Sequence, residues 1–446
     1  MASPAAATAL SGLTTRGRSF LAAGAAVAAV AVVLGQRDLL RVAVLLVALP
    51  LASVLLVARA RHQVGHERTV TPPRVAAGQP ASVRLELTNL ARLPTGVLLA
   101  QDDVPYVLGS RPRFVVARLA PGGSVAVTYP VRSDVRGRWQ VGPLSLRVTD
   151  PFGMCEVTRS FTATDPLVVV PRVHPLLPLR ASGAWTGAGE SVATTAAAAG
   201  EHDVATREYR HGDDLRRVHW RSTARRGELM VRRDEQPHLL RATVVLDTRA
   251  VGHRGEGPAS SFEWAVSAAA SIAALLAESG YGVRVLTDDV ETPWTGRDSR
   301  QGVGELLDRL AVVTPGSPLE LQEAHRALTR SGGDGLVVSL LGEVDAADVE
   351  PVAALPRRGA AGLALLLATP TWTTLPGRRR DQVDAARGRA ALVLDRAGWS
   401  VVEPEATTPV PQAWRRLVER HATRDGGPAG FSPGGGGPAR APGAAR

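Results

Sequence analysis

The densest set of chemically capable side chains runs from Asp203 to Arg233, where nine arginines and five acids surround Tyr209 and Trp220. Carboxylate and imidazole groups bind metals and move protons, and guanidinium forks grip carboxylate or phosphate oxygens in pairs. His211-Gly212-Asp213-Asp214 predicts a turn into a short helix capped by Asp213 or Asp214, with Leu215, Val218 and Ser222 on its inner face. Gly227 then leads into an extended run from Leu229 to Arg233. Three roles compete for this stretch. In one, Asp213, Asp214, His211 and His219 form a metal or acid/base centre, and the chain is a metal-assisted hydrolase acting on a phosphate or envelope substrate through Asp213, Asp214 and His219. Against it, no recognised metal spacing is matched, and adjacent carboxylates at a helix start point in different directions. In the second, Arg-carboxylate forks clamp an awkward connection. In the third, the network is presented to a partner protein, with Trp220 and an arginine as anchors; Arg217 and Arg221 lie beside the apolar face without belonging to it.

Two further positions invite chemistry. Cys155 is the only cysteine, which excludes an intramolecular disulfide and any multi-cysteine metal site. It follows the turn Asp150-Pro151-Phe152-Gly153 with no base beside it, so a packed thiol is expected rather than a nucleophile. Asp247 ends the apolar run Thr243-Val244-Val245-Leu246, and a carboxylate at the carboxyl end of a buried strand is where α/β folds place their sites.

The elements that hold these residues follow from periodicity. Strands are expected at Thr243–Asp247, Val283–Thr287, Gly335–Leu341, Leu363–Ala368 and Ser400–Val402. Helices are expected at Ser261–Ser279, Gly302–Val312, Leu319–Arg330, Arg380–Ala397 and Gln412–His421. That alternation predicts a doubly wound, mainly parallel sheet over residues 239–423. Between Val64 and Pro171 the period is two: Ala81–Asn89, Val125–Tyr129 and Leu144–Thr149 alternate and are separated by Gly/Pro turns. Residues 63–180 therefore read as an antiparallel β-sandwich with a structural or interaction-bearing role. Residues 181–202 are an Ala/Gly-rich linker, 203–238 the polar motif, and 424–446 a Gly/Pro/Ala-rich tail expected to be disordered.

Residues 1–62 carry two apolar runs, Ser19–Gly35 and Leu39–Ala58, joined by Gln36-Arg37-Asp38. The second is long enough for a ~30 Å hydrocarbon core and the first is marginal, so a tight transmembrane hairpin is expected. Arg16 and Arg18 precede it, and Arg59, Arg61, Arg68 and Arg74 follow. This bias places both flanks and the soluble body in the cytoplasm, tethered to the cell membrane. A cleaved signal peptide is the competing reading, and it leaves the second run as an anchor with the same side facing inward.

The formal charge of +10 raises nucleic acid as a ligand, but the basic residues, all arginine, are interleaved with 42 acids along the chain. No basic run is set among aromatics, and nucleic-acid binding is not expected.

Arg207, Tyr209, Gly212, Asp213, Arg216, Trp220, Ala224 and Arg225 fit the pattern Arg-x-Tyr-x-x-Gly-Asp-x-x-Arg-x-x-x-Trp-x-x-x-Ala-Arg, and so the chain resembles the bacterial family of domain of unknown function 58. Arg136-Gly137-Arg138-Trp139 and the Asp150–Gly153 turn are similar to the family as well. The family often has Pro before the Gly and Asp before the Trp, where this chain has His211 and His219. The family has no established reaction. Its members are usually encoded beside MoxR-type AAA+ ATPases and transglutaminase-like membrane proteins, which implies a partner role.

The C-terminal half also resembles a von Willebrand factor A domain. Such domains hold Mg²⁺ through an Asp-x-Ser-x-Ser turn after the first strand, aided by Thr and Asp from later loops. Here the turn is Asp247-Thr248-Arg249-Ala250-Val251, and Gly342-Glu343 stands where Thr-Asp is expected. An arginine supplies no oxygen ligand and adds positive charge, so the metal site is degenerate, with Asp247 expected to bond Arg249 or a backbone amide.

The sequence thus describes a multidomain protein with two transmembrane helices, an all-β sandwich and an α/β von Willebrand factor A-like doubly wound domain. The expected role is a membrane-anchored, non-enzymatic scaffold or adaptor in cell-envelope assembly or stress response. No catalytic residue, metal or cofactor is assigned. The partners expected are a MoxR-type AAA+ ATPase, envelope proteins and the lipid bilayer. Arg207, Tyr209, Gly212, Asp213, Arg216, Arg217, Trp220, Arg221 and Arg225 form the interaction motif.

Overall fold

A computed structural model describes residues 12–59, 64–92, 94–150, 152–179, 206–208, 218, 220–232, 240–287, 299–316, 335–354 and 361–424. The chain divides into two compact units, residues 1–172 and 173–446.

The first unit begins with helices α1 (Thr15–Leu34) and α2 (Arg37–Arg59), both long and apolar enough to cross a membrane. Thr14 caps α1 by accepting from the Gly17 amide, and left-handed Gly35 ends it by donating to the Ala31 and Val32 carbonyls. Only Gly35 and Gln36 separate the helices, so they pack as an antiparallel pair. A Cβ on Gly24 would lie 2.7 Å from the Val47 side chain; the absent methyl is what permits the close crossing.

Ten strands follow: β1 (Val64–Thr71), β2 (Arg74–Ala76), β3 (Pro80–Asn89), β4 (Leu98–Asp102), β5 (Arg113–Val116), β6 (Ser124–Arg132), β7 (Gly137–Val141), β8 (Leu144–Thr149), β9 (Glu156–Ser160) and β10 (Asp165–Val170). They form three sheets, ordered β1-β3-β6, β2-β10-β7 and β5-β4-β8-β9. The alternation read in Ala81–Asn89 is structural: Ala81, Val83, Leu85 and Leu87 are buried on one face of β3. The first two pack in a core with β6, β7 and β10, and the last two in a core with β4 and β8. The expectation of a wholly antiparallel sandwich needs one correction, because β2 runs parallel to β10. Pro72 and Pro73 have no N–H with which to continue the β1 ladder, and the chain passes to a different sheet after them. At the centre, Arg68 grips the Asp102 carboxylate through Nε (3.0 Å) and Nη2 (2.6 Å) and reaches Asp165 through Nη1 (2.9 Å). Burial works against the charged guanidinium, but the two carboxylates outweigh it and raise its pKa. Tyr129 donates its hydroxyl to the same Asp102, and its pKa is also raised, by burial first and the carboxylate second.

In the second unit, strand β11 (Thr206–Glu208) pairs antiparallel with β12 (Met230–Arg232), and helix α3 (Trp220–Arg226) lies between them in sequence. The α/β region then runs β13 (Arg241–Leu246), α4 (Ser261–Glu278), β14 (Gly282–Leu286), α5 (Ser299–Val312), β15 (Leu336–Leu341), α6 (Ala346–Ala353), β16 (Gly362–Leu366), α7 (Gly377–Arg396), β17 (Ser400–Val402) and α8 (Val410–Arg424). The sheet is parallel throughout, ordered β14-β13-β15-β16-β17. Helices α4, α5 and α8 cover one face, and α6 and α7 the other. The strands from β13 to β16 are mostly apolar with almost no exposed position, as a sheet covered on both faces requires, and the buried Arg284 of β14 donates to Thr243 of β13. All five expected strands are present. The expected helix at 319–330 and the tail at 424–446 lie outside the described residues, save Arg424 at the end of α8. Residues 173–179, grouped with the sandwich from composition, pack instead on the α/β core: Leu176 and Leu179 contact it, and Trp414 donates its indole N–H to the Leu177 carbonyl at 2.8 Å.

Candidate functional site

The strand order places the switch in winding direction between β13 and β15, and the crevice beyond their carboxyl ends is where such sheets present a site. Asp247 stands there, fully buried. Arg249 Nε and Nη2 donate to its two carboxylate oxygens, each at 3.0 Å. The Arg249 and Gly342 amides, each at 3.1 Å, donate to one oxygen apiece. The expectation that Asp247 bonds Arg249 or a backbone amide thus meets both kinds of partner.

The surrounding loops lock this pair in place. The Glu343 amide donates to the Gly252 carbonyl at 2.6 Å, and a Cβ on Gly342 would overlap that carbonyl. Arg249 Nη2 also donates to the Glu343 carbonyl at 3.2 Å, and its Nη1 is 3.4 Å from Asp348. The Glu343 carboxylate takes Arg254 Nη2 on one oxygen and Arg379 Nη2 on the other, both at 2.6 Å. Three acids therefore face three arginines, and the cluster is neutral. Burial alone would depress the Arg249 pKa, but Asp247 outweighs it and drives the net shift upward.

His253 shows which proton arrangement this centre accepts. Its Nε2 is 2.8 Å from the Asp247 carbonyl, which only accepts, so Nε2 carries the hydrogen. Its Nδ1 is 3.2 Å from Ser261 Oγ, whose hydroxyl is free to donate because the same oxygen accepts from the Arg254 amide. A neutral imidazole satisfies both contacts. Burial lowers the His253 pKa, against a smaller opposing effect of Asp247.

A divalent cation does not fit these residues. The oxygens it would need on Asp247 are already engaged by a guanidinium and two amides, and Arg249 brings its own charge. Among the described residues no group of three or more His, Cys, Asp or Glu side chains is arranged to hold a metal. Glu343, Arg254, Arg379 and His253 were not foreseen as members of one cluster. A short signal did mark α6: Asp345 and Asp348 form a reciprocal capping box that bounds the loop after β15.

The polar motif is less fully placed. Tyr209, His211, Gly212, Asp213, Asp214, Arg216, Arg217 and His219 lie outside the described residues, as do the side chains of Arg207 and Arg221. Arg207 sits in β11 and Arg221 in α3. The expected helix starting at Asp213 or Asp214 with Val218 on its inner face needs correction, because Val218 is a buried bridge residue ahead of α3, which starts at Trp220. Thr223 holds the helix to the next strand by accepting from the Met230 amide at 3.0 Å, and left-handed Gly227 makes the turn between them. Trp220 is 69% exposed, and Arg225, on the same helix, is exposed as well.

Fold and site define a protein with two apolar N-terminal helices, β-sheets, and a parallel α/β region whose switch-point crevice is closed by an internal ion pair. Residues 205–419, just under half of the chain, match the model of the protein family of unknown function DUF58, and this region belongs to that family. No curated protein matches the sequence. Solved structures show faint likenesses. They include the CARDB domain of the PF1109 protein from Pyrococcus furiosus in complex with di-metal ions, at 16% identity over 24% of this chain and 89% of that one, TM-score 0.19. Another is the alkylpurine DNA glycosylase AlkC of Pseudomonas fluorescens bound to DNA containing an abasic site analog, at 15% identity over 29% of this chain and 39% of that one, TM-score 0.16. A third is the putative ApaA protein of Bordetella pertussis, at 13% identity over 24% and 92%, TM-score 0.19. Likenesses at such TM-scores carry no argument about this chain.

Proposed function

We propose that the chain is a membrane-anchored, non-enzymatic scaffold or adaptor whose α/β domain is of the von Willebrand factor A type with its metal turn closed by Arg249. The observation that carries this reading is the two-bond fork of Arg249 on Asp247. It fills the position from which a metal ion would act and leaves a neutral, internally bonded centre. The two apolar helices support the anchor. The basic residues flanking them support a cytoplasmic body. The exposed Trp220 and Arg225 support a protein-binding face on α3, since Trp and Arg are common interface anchors. The partner proposed, from the family's usual gene neighbours, is an AAA+ ATPase of the MoxR type, together with envelope proteins.

The test is recovery of the full chain from native membranes in mild detergent. Wild type should bring down the ATPase, and Trp220→Ala with Arg225→Ala should lose most of it while melting as wild type does, as exposed substitutions usually do. A purified chain that alone hydrolyses phosphate esters in a metal-dependent way sinks the scaffold reading. Undiminished recovery by the double variant removes α3 from the interface.

A further inference from the structure

The end of the β-sheets nearest the helical hairpin carries apolar side chains that are exposed among the described residues. The segment ahead of α1 is bound directly to the β8–β9 turn. Leu13 bridges antiparallel to Cys155, the Thr14 amide donates to the Met154 carbonyl at 3.0 Å, and Thr14 Oγ1 donates to the Gly153 carbonyl at 2.7 Å. The Glu156 amide donates to the Gly12 carbonyl at 2.8 Å. Val54 of α2 packs with Leu13 and Cys155, with Leu21 and Val157 alongside, so both helices are fastened to this turn. A side chain at Gly17 would collide with the Met154 carbonyl, so the turn lies flush against the first turn of α1.

That contact fixes the depth of the turn. At ~1.5 Å rise per residue, Thr14 is about 9 Å along the axis from Phe20, where the uninterrupted apolar stretch of α1 begins. This is a little more than the ~5–8 Å thickness of one headgroup layer. Phe152, at the tip of the turn, is 52% exposed, although a phenylalanine gains from burial. The loops at the same end repeat the pattern. Gly96 abuts the Thr149 carbonyl, and its neighbour Val97 is 58% exposed. Asn89 Nδ2 donates to the Leu119 and Ala120 carbonyls, which draws the end of β3 to the loop between β5 and β6, and the next residue, Leu90, is 61% exposed. Arg16, Arg92 and Arg118 are exposed among them.

We infer that this end of the sheets is a lipid-contact surface, with Phe152, Val97 and Leu90 entering the headgroup–acyl boundary while the three arginines meet lipid phosphates. The inference rests on the membrane anchoring proposed above. The occupant is a bilayer because the surface is continuous with the two spanning helices, and because apolar tips ringed by guanidinium groups are the composition an anionic interface takes up. The surface fixes the tilt of the sheets on the membrane, which a two-helix tether alone does not.

The test uses the full chain in vesicles of phosphatidylcholine with phosphatidylglycerol, carrying a nitroxide at Phe152→Cys, Val97→Cys or, at the opposite end of the sheets, Tyr106→Cys. Tyr106 is 91% exposed and lies beyond the far end of β4, so it serves as the water-facing control. Wild type treated in parallel gives the background from buried Cys155. Power saturation should show labels at 152 and 97 relaxed several-fold more by oxygen than by a water-soluble nickel chelate, and the reverse at 106. If all three labels respond as 106 does while the chain resists an alkaline wash, the lipid surface is refuted and the anchor stands. If the wash strips the chain from the vesicles, the anchor fails and takes this inference with it. Two independent labelled positions guard against one variant that folds poorly.

Discussion

Arg249 and Asp247, two residues apart at the carboxyl end of β13, meet through a two-bond fork with both N–O distances at 3.0 Å. Asp247 is fully buried and the Arg249 side chain is 9% exposed, so neither charge is screened well by water. Removing one partner of such a pair strands the other, at a cost of about 3–5 kcal/mol. Arg249→Met should therefore loosen the ends of β13 and β15, read as faster amide hydrogen exchange in peptides covering 243–249 and 338–343. Asp247→Asn added to it should recover part of the protection, because the stranded charge is gone. Exchange in the double variant equal to the sum of the two single effects would show that the pair is not coupled.

The same fork governs the response to cations. A ligand that binds only the folded state stabilises it by an amount that grows with concentration, about 2.7 kcal/mol at a hundredfold excess over its dissociation constant. With Arg249 in place, melting curves of the full chain with Mg²⁺ or Mn²⁺ should overlay those with a chelator. Arg249→Ser with Val251→Ser introduces two hydroxyls and removes the internal cation, and this variant is expected to melt higher with Mg²⁺ than without it. A clear Mg²⁺-dependent rise in the wild type would contradict the guanidinium as the resident charge.

His253 gives the centre a pH dependence with a definite sign. Burial holds its pKa below the ordinary value of 6.5, whereas the unfolded chain protonates near that value. Below about 6.5 the unfolded state binds a proton that the folded state refuses, so stability falls as pH drops toward the lowered folded pKa. Above that window the imidazole is neutral in both states and contributes no pH dependence. His253→Gln keeps an N–H for the Asp247 carbonyl but does not titrate. Exchange in the 253–261 peptide should therefore accelerate between pH 7 and 5, after correction for intrinsic rates, in wild type and much less in the variant. Equal acceleration in both would assign the effect to other groups, such as His66, whose pKa burial also lowers.

The parts of this architecture that were legible in the sequence are those written in local periodicity. Val83, Leu85 and Leu87 alternate with polar neighbours, and all are fully buried on one face of β3. The runs at Thr243–Leu246 and Leu336–Leu341 are apolar but for Thr243 and Ser339, and buried throughout, because both faces of their sheet are covered. The Asp247–Arg249 pair was also legible, since its members are two residues apart. What was not legible depends on long separation. Arg379 reaches Glu343 from 36 residues away, and Thr14 meets Gly153 across 139. Nothing in either local sequence marks those meetings. Helix α6 is absent from the expected helices; it is short and has Pro351 within it, although its capping box is present.

Asp150 holds the turn that carries the joint between the hairpin and the sheets. Its carboxylate accepts from the Phe152 amide at 3.0 Å and the Cys155 amide at 2.6 Å, and its own amide donates to the Cys155 carbonyl at 3.1 Å. The Cys155 side chain is fully buried behind this turn, and burial, with the Asp150 charge second, raises its thiol pKa. Both effects suppress thiolate, so Cys155 in the wild type should react slowly with thiol reagents at pH 8. Asp150→Ala leaves two amides without their acceptor, a loss of about 1–3 kcal/mol where they are out of water. It also removes the negative charge that disfavours thiolate. Opening of the turn becomes more frequent, and the labelling rate of Cys155 should rise by roughly tenfold or more, since each 1.4 kcal/mol of opening is a factor of ten in the exposed population. Asp150→Asn keeps one acceptor oxygen and should fall between the two. If Asp150→Ala labels no faster than wild type, the carboxylate does not hold the turn, and the contacts of Leu13, Thr14 and Val54 with it carry the joint.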